Sequence, residues 1–199
     1  MDGENVRGDH RTILEWIQPG STVLDLGCGN GELLDLLVRE RRAKAQGIEI
    51  SEQAIHQCVS KGLSVFQEDI DDGLTGYADR SFDYVILNQS LQQVKKLDTV
   101  MQEALRVGRQ VIVGFPNFAH YQARLQIFFR GKTPITASLP YEWHDTPNLH
   151  FLSISDFALY CRKRAMRIDD RAWLGRNGKV WLLPNLFAHV GVFLISRQS

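Results

Sequence analysis

Asp25-Leu-Gly-Cys-Gly-Asn-Gly31 follows the apolar residues Val23 and Leu24 and runs into Leu33, Leu34, Leu37 and Val38, which recur at helical spacing. A buried strand, a glycine-rich turn and the start of a helix therefore come in succession. Glycines at 27, 29 and 31 present no side chain, so a ligand can lie close to the backbone. The spacing is G-x-G-x-G with an acid two residues before the first glycine, and it differs from the dinucleotide fingerprint G-x-G-x-x-G. The acid and the strand–helix context favour cofactor binding over a purely structural turn.

Outward from this turn the pattern alternates. Ile13, Leu14 and Ile17 predict a short leading helix ended by Pro19-Gly20. Residues 23–26 predict the first strand, 32–41 a helix, and 47–50 the second strand. Ser51 is the expected cap of a helix with Ala54, Ile55, Cys58 and Val59 on one face. Residues 63–66 predict the third strand, and 81–87, a near-continuous apolar run, a fourth strand buried on both faces. Asp98 is the expected cap of a helix carrying Val100, Met101, Ala104 and Leu105. Residues 111–115 predict the fifth strand, ended by Pro116.

The alternation then breaks. Phe118, Tyr121, Leu125 and Phe128 keep helical spacing, and residues 131–147, with three prolines, read as loop. Ser153-x-x-Asp156 is a capping box opening a helix to about residue 164. Two strands follow, near 167–174 and at 190–195, the last expected antiparallel. The expectation is one α/β domain over residues 1–199, with a doubly wound, mostly parallel seven-stranded sheet and helices on both faces. Residues 116–150 form its lid or insertion after strand five.

A length of 199 residues suits one domain with a real core. Basic and acidic residues number 23 each, and no long block of one sign occurs, so the footprint of a nucleic-acid binder is missing. Cys28, Cys58 and Cys161 are scattered and form no CxxC pair, which suits reduced, buried thiols in the cytoplasm. The polar start does not read as a signal peptide, and no apolar stretch reaches the length of a membrane span, about 18 residues. No membrane or nucleic-acid partner is expected.

In a doubly wound sheet the ligand sits beyond the carboxyl ends of the strands. Gly27 and Gly29 are expected to lay backbone amides against a cofactor, with Cys28 as a small filler and Gly31 closing the turn. Asp25 is expected near a cationic group, directly or through a water or a neighbouring backbone group. Glu49, at the end of strand two with Ile50 beside it, is placed to accept hydrogen bonds from both hydroxyls of a ribose. As a strand-end acid it is expected to contribute little to folding. Asp69 and Ile70 follow strand three, where a carboxylate and an apolar neighbour suit an adenine ring. Asp71 and Asp72 are alternatives for that contact. Asn88, Gln89 and Ser90 end strand four and face the reactive part of the ligand.

The glycine turn resembles motif I of class I S-adenosylmethionine (SAM) methyltransferases. From Arg7 onward the chain resembles the MetW family of methionine-biosynthesis proteins. The carrying segments are Trp16 to Leu34, Ser81-Phe-Asp-Tyr84, Leu105-Arg-Val-Gly-Arg109, Phe115-Pro-Asn-Phe-Ala-His120, and Leu139 to Asn148 with Trp143-His-Asp. The resemblance implies a class I methyltransferase fold, SAM or S-adenosylhomocysteine as cofactor, and a role beside homoserine O-acyltransferase.

Methyl transfer is the competing reading. It needs an aligned acceptor and often a base. Strand four ends in Asn88-Gln-Ser-Leu91 rather than an Asn-Pro-Pro-Tyr site, and Gln92-Gln93 stands where many small-molecule methyltransferases carry histidines. Candidate bases are His144 and His150, within a proline- and aromatic-rich stretch that suits a substrate cover or a protein interface equally. The histidine spacing matches no standard zinc pattern, so no metal is expected.

Overall fold

The computed structural model describes residues 6–198. Its elements, in chain order, are α1 (Gly8–Trp16), β1 (Thr22–Leu26), α2 (Glu32–Arg41), β2 (Lys44–Glu49), α3 (Glu52–Ser60), β3 (Ser64–Gln67), β4 (Phe82–Asn88), α4 (Leu97–Val107) and β5 (Gly108–Pro116). Then come α5 (Tyr121–Arg130), α6 (Ile154–Lys163), β6 (Met166–Gly175), β7 (Gly178–Lys179), α7 (Pro184–Phe187) and β8 (Val190–Arg197). They build one sheet in the order β3-β2-β1-β4-β5-β8-β6-β7. The first five strands are parallel. β8 enters antiparallel between β5 and β6, with Val113 opposite Phe193 and Ala172 opposite Val192.

Strand periodicity explains why both faces are covered. Side chains alternate across a strand, so Val23, Tyr84, Ile86 and Ile112 join the cluster beneath α1 and α2. Leu24, Leu26, Val85, Leu87 and Val113 join the cluster beneath α4 and α6. Burying each such side chain contributes about 1.5–3 kcal/mol, so the central strands hold the frame that positions the loops at their ends.

Several local expectations hold and others shift. α2 spans the predicted residues 32–41. The Ser51 hydroxyl caps α3 through Ala54 N, and Ser153 and Asp156 form the predicted capping box on α6. Asp98 does not cap α4. It lies in the first turn, where the negative charge still suits the helix dipole, and its carboxylate accepts from Tyr160 and Arg164 of α6. β2 starts at Lys44 rather than Gly47, because sheet pairing to β1 extends a strand whose first residues are polar or small. An eighth strand, β7, adds a two-residue hairpin at the sheet edge, and α7 forms inside the predicted loop before β8. Among the described residues no helix is long and apolar enough to cross a membrane.

α5 departs from the layered plan. Only Ala123 of its ten residues is fully buried. Its base is pinned by Asn117, whose buried side chain donates to the carbonyls of Ala188 and Asn185 and accepts from Ala119 N. His120 stacks on His189 at 4.0 Å, and its Nδ1 accepts from Gln122 N at the helix start. The Phe115–His120 segment therefore fastens α5 to the chain before β8.

Candidate functional site

The carboxyl ends of the parallel strands open onto a cavity of about 490 Å³, a volume that suits a cofactor-sized molecule. The glycine turn forms its floor. Gly27 and Cys28 amides donate to Ile48 O at 2.8 and 3.1 Å, and the Gly29 amide donates to Glu49 Oε2 at 2.9 Å. These amides are committed within the fold, so the Gly27 and Gly29 amides expected against a cofactor already have acceptors in the protein. What the turn offers instead is bare Cα surface. Gly29 has φ 55°, and a Cβ built there meets nothing within 4 Å. Gly31 is different. A Cβ there would sit 2.6 Å from Leu63 and 2.8 Å from Cys58 Sγ, so this glycine lets α3 and β3 pack closely and does not line the cavity.

Asp25 is 3% exposed and borders the cavity. No donor among the described residues reaches its carboxyl group. Burial, reinforced by the charge of Glu49, raises its pKa to about 7. A buried acid without a donor is costly when ionised, and a cationic ligand group would relieve that cost.

Glu49 is more than a strand-end acid. Oε1 accepts from the amides of Ile50 and Ser51, and Oε2 from Gly29. The carboxylate ties the glycine turn to the entrance of α3 and keeps spare acceptor capacity on Oε2. The expectation that it hardly matters to folding is therefore corrected.

Three acids compete for the position after β3. Asp72 does not line the cavity. Both Asp71 oxygens are held by the amides of Lys95 and Lys96. Asp69 lines the cavity, and among the described residues only its Oδ1 is engaged, by Asp71 N, while Oδ2 has no partner. Ile50 and Ile70 lie on the same cavity wall.

At the end of β4, Asn88 and Gln89 both line the cavity. Gln89 has φ 63°, a strained value for this residue type, and its buried Nε2 has no acceptor. Ser90 holds the floor by donating to Leu26 O at 2.6 Å.

Sequence reasoning missed the wall built by the leading segment. Arg7 and His10 line the cavity, and Asn88 Nδ2 donates to the buried Asp9, which Arg7 also grips through two nitrogens. Burial pushes the Asp9 carboxyl up, but Arg7, His10 and Asn88 outweigh it and hold it below the usual range. Burial holds the His10 imidazole below its usual range despite the opposing charge of Asp9. A signal existed. His10 shares the helical stripe of Ile13, Leu14 and Ile17, and a polar residue in an apolar stripe marks an unusual position.

His144 and His150 do not reach the cavity, and no described residue from 116–150 lines it. His144 is exposed beside Glu142. His150 binds Val94 O through Nε2 at 2.9 Å, while the amides of Leu149 and His150 both donate to Gln92 O. The segment lies against the outer side of the 91–95 turn, whose inner side supplies Gln93, Val94 and Lys95 to the cavity wall. The expected lid therefore braces the site from behind. The three cysteines are free and buried. Burial, then the neighbouring Asp25 charge, drives the Cys28 thiol far up, consistent with a filler. Among the described residues no three His, Cys, Asp or Glu side chains gather to hold a metal ion.

The strand order, the acid–glycine turn and a cavity at the strand ends define a protein of class I methyltransferase fold. A SAM-dependent methyltransferase from Archaeoglobus fulgidus superposes with a TM-score of 0.69 at 15% identity, covering 94% of this chain and 90% of that one. The [4+2]-cyclase SpnF superposes with a TM-score of 0.67 at 15% identity, covering 94% and 80%. The shared fold therefore leaves the reaction open. The family is narrower: the chain belongs to the methionine biosynthesis protein MetW family, whose model matches residues 7–195. A bifunctional methionine biosynthesis protein MetXA/MetW of Rhodopirellula baltica is 39% identical over an alignment of 204 positions that covers 96% of this chain and 33% of that protein. The chain thus spans about one third of that relative's length.

Proposed function

We propose that this protein binds SAM or S-adenosylhomocysteine in the cavity and acts with homoserine O-acyltransferase in methionine biosynthesis. The observation that carries the cofactor reading is the donor-free carboxyl of Asp25 bordering a cavity of cofactor size. Around it, the spare acceptor on Glu49 suits the ribose hydroxyls. The free Asp69 oxygen suits an adenine amine, with Ile50 and Ile70 against the ring. Gln89 Nε2 supplies a donor that lacks an acceptor in the protein. When bound, SAM supplies an electrophilic methyl group and S-adenosylhomocysteine does not. The acyltransferase role rests on the family and on the relative whose single chain is named for both MetXA and MetW. A reducing cytoplasm suits the three free thiols.

The test pairs two measurements. Isothermal titration with each cofactor should show binding that Asp25→Asn weakens. Co-purification with the homologous acyltransferase should succeed and respond to added SAM. Failure of the titration sinks the cofactor reading, and failure of the pull-down sinks the partner.

A second reading has one specific support. His10 is a base in the cavity wall, and burial favours its neutral form. If the protein is a small-molecule methyltransferase, His10 rather than His144 or His150 is the group positioned to take a proton.

A further inference from the structure

Several of the most exposed large apolar side chains among the described residues lie on α5 and beside α7, and none of these lines the cavity. On α5, Tyr121, Leu125 and Phe128 fall at i, i+4 and i+7, one face of the helix. All three are exposed, and Phe128 reaches 81%. Tyr121 meets Phe187 of α7 at 6.0 Å between ring centroids, and Arg124 reaches Asn185 O at 3.4 Å. α5 therefore meets α7, and the three residues just ahead of α7 in the chain, Trp181, Leu182 and Leu183, are exposed as well, the first 86%. Isolated exposed apolar residues are ordinary, but several on adjoining elements, Trp and Phe among them, mark an interaction surface.

Its charge is one-sided. Residues 121–141 contain Arg124, Arg130 and Lys132, and residues 171–189 contain Arg171, Arg176 and Lys179, with no Asp or Glu in either stretch. Among the described residues Lys179 alone of these has an acidic partner, Glu15 at 3.0 Å. This occurs in a chain with 23 residues of each sign. Exposed apolar side chains in stretches whose only charges are basic are complementary to an apolar patch with acidic neighbours.

From this we infer that the α5–α7 face docks the acyltransferase, through an apolar patch with acidic neighbours on that partner. The occupant follows from the relative in which a MetW portion makes up only 33% of a chain also named MetXA. Two units held in one chain meet at high effective concentration, and this face is the apolar surface that such a neighbour would cover. The inference rests on the acyltransferase reading above and adds the surface.

The experiment uses the full protein and the purified homologous acyltransferase, measured by titration and analytical size exclusion. Phe128→Asp and Trp181→Asp change highly exposed side chains, so circular dichroism and SAM affinity should match the unsubstituted protein. Each should weaken the complex at least about tenfold, and Arg130→Glu with Lys132→Glu should weaken it and flatten its salt dependence. A complex unaffected by any of these variants overturns the surface and leaves the partner reading standing. If the unsubstituted protein forms no complex, the partner reading itself falls. Flotation with vesicles of anionic phospholipid, or concentration-dependent self-association, would overturn the acyltransferase as the occupant of this face if Phe128→Asp abolishes it.

Discussion

Around the cavity, polar groups are buried and short of partners; along α5 and α7, apolar groups are exposed and short of cover. Gln89 Nε2 and Asp25 lack protein partners at the first region. Phe128 and Trp181 stand in solvent at the second. Each is locally unfavourable in a different way, desolvation in one and hydration of apolar surface in the other. The difference separates two kinds of recognition: a small polar molecule completes the first, and a large apolar surface completes the second. The 91–95 turn belongs to the first region: it supplies Gln93, Val94 and Lys95 to the cavity wall, and Leu149 and His150 hold it through Gln92 O.

The comparison breaks most sharply at Gly29. Gly29→Val places a branched side chain in the cavity and strains a left-handed residue, at about 1–2 kcal/mol. Cofactor affinity should fall by roughly a hundredfold or more, with native circular dichroism and undisturbed acyltransferase binding in the absence of cofactor. Near-normal affinity would remove the ligand from the glycine turn.

Glu49→Ala tests whether one carboxylate serves both fold and ligand. It leaves the amides of Gly29, Ile50 and Ser51 without their acceptor, so the cofactor-free protein should melt several degrees lower, a loss of roughly 1–3 kcal/mol. Cofactor affinity should drop by about tenfold to a hundredfold. An unchanged melting temperature would return Glu49 to the solvated surface.

The pH dependence sharpens the cavity side. Because the folded Asp25 pKa is raised to about 7, the fold favours the protonated form. Its stabilising contribution is complete below the ordinary carboxyl range and is lost as pH rises through 7. Binding of a cationic group reverses this preference. SAM affinity should therefore rise up to about tenfold per unit between roughly pH 5.5 and 7, then level off. Asp25→Asn should flatten that profile, and a profile of equal slope in the variant would exclude Asp25 as the cation's partner.

The smallest expected effect is at Trp143, which is 74% exposed and lies outside the α5–α7 face. Trp143→Ala should leave melting unchanged and cost the complex about 1 kcal/mol, roughly fivefold, if the interface extends onto the 131–147 loop. A large loss of stability would show that the loop packs on the core through this residue.

The parallel half of the fold was legible because its strands are apolar runs buried on both faces and its turns carry glycine or a capping serine. The strand beginning at Lys44 was legible only in part, since its first residues, Lys44, Ala45 and Gln46, are polar or small and show no apolar run. Ten of the eleven expected cofactor residues line the cavity, because they follow from strand ends. Arg7 and His10 stayed hidden for a topological reason. They reach the site through Asp9 and its bond to Asn88, 79 residues away, and no local pattern announces such a pairing. The 116–150 segment looked like a cover for the same kind of reason: the attachment of Leu149 and His150 to Gln92 and Val94 depends on backbone carbonyls, which side-chain identity does not reveal.

The antiparallel insertion of β8 has a practical corollary for handling the molecule. Reversing that strand carries Arg197 to the margin of the sheet opposite the cavity, while Arg7 stands in the cavity wall. The two ends of the described chain therefore exit on opposite sides. A fluorophore or affinity handle attached beyond Arg197 leaves ligand titrations undisturbed, whereas the same handle joined ahead of Arg7 starts beside the binding pocket and reports on, or obstructs, whatever enters it.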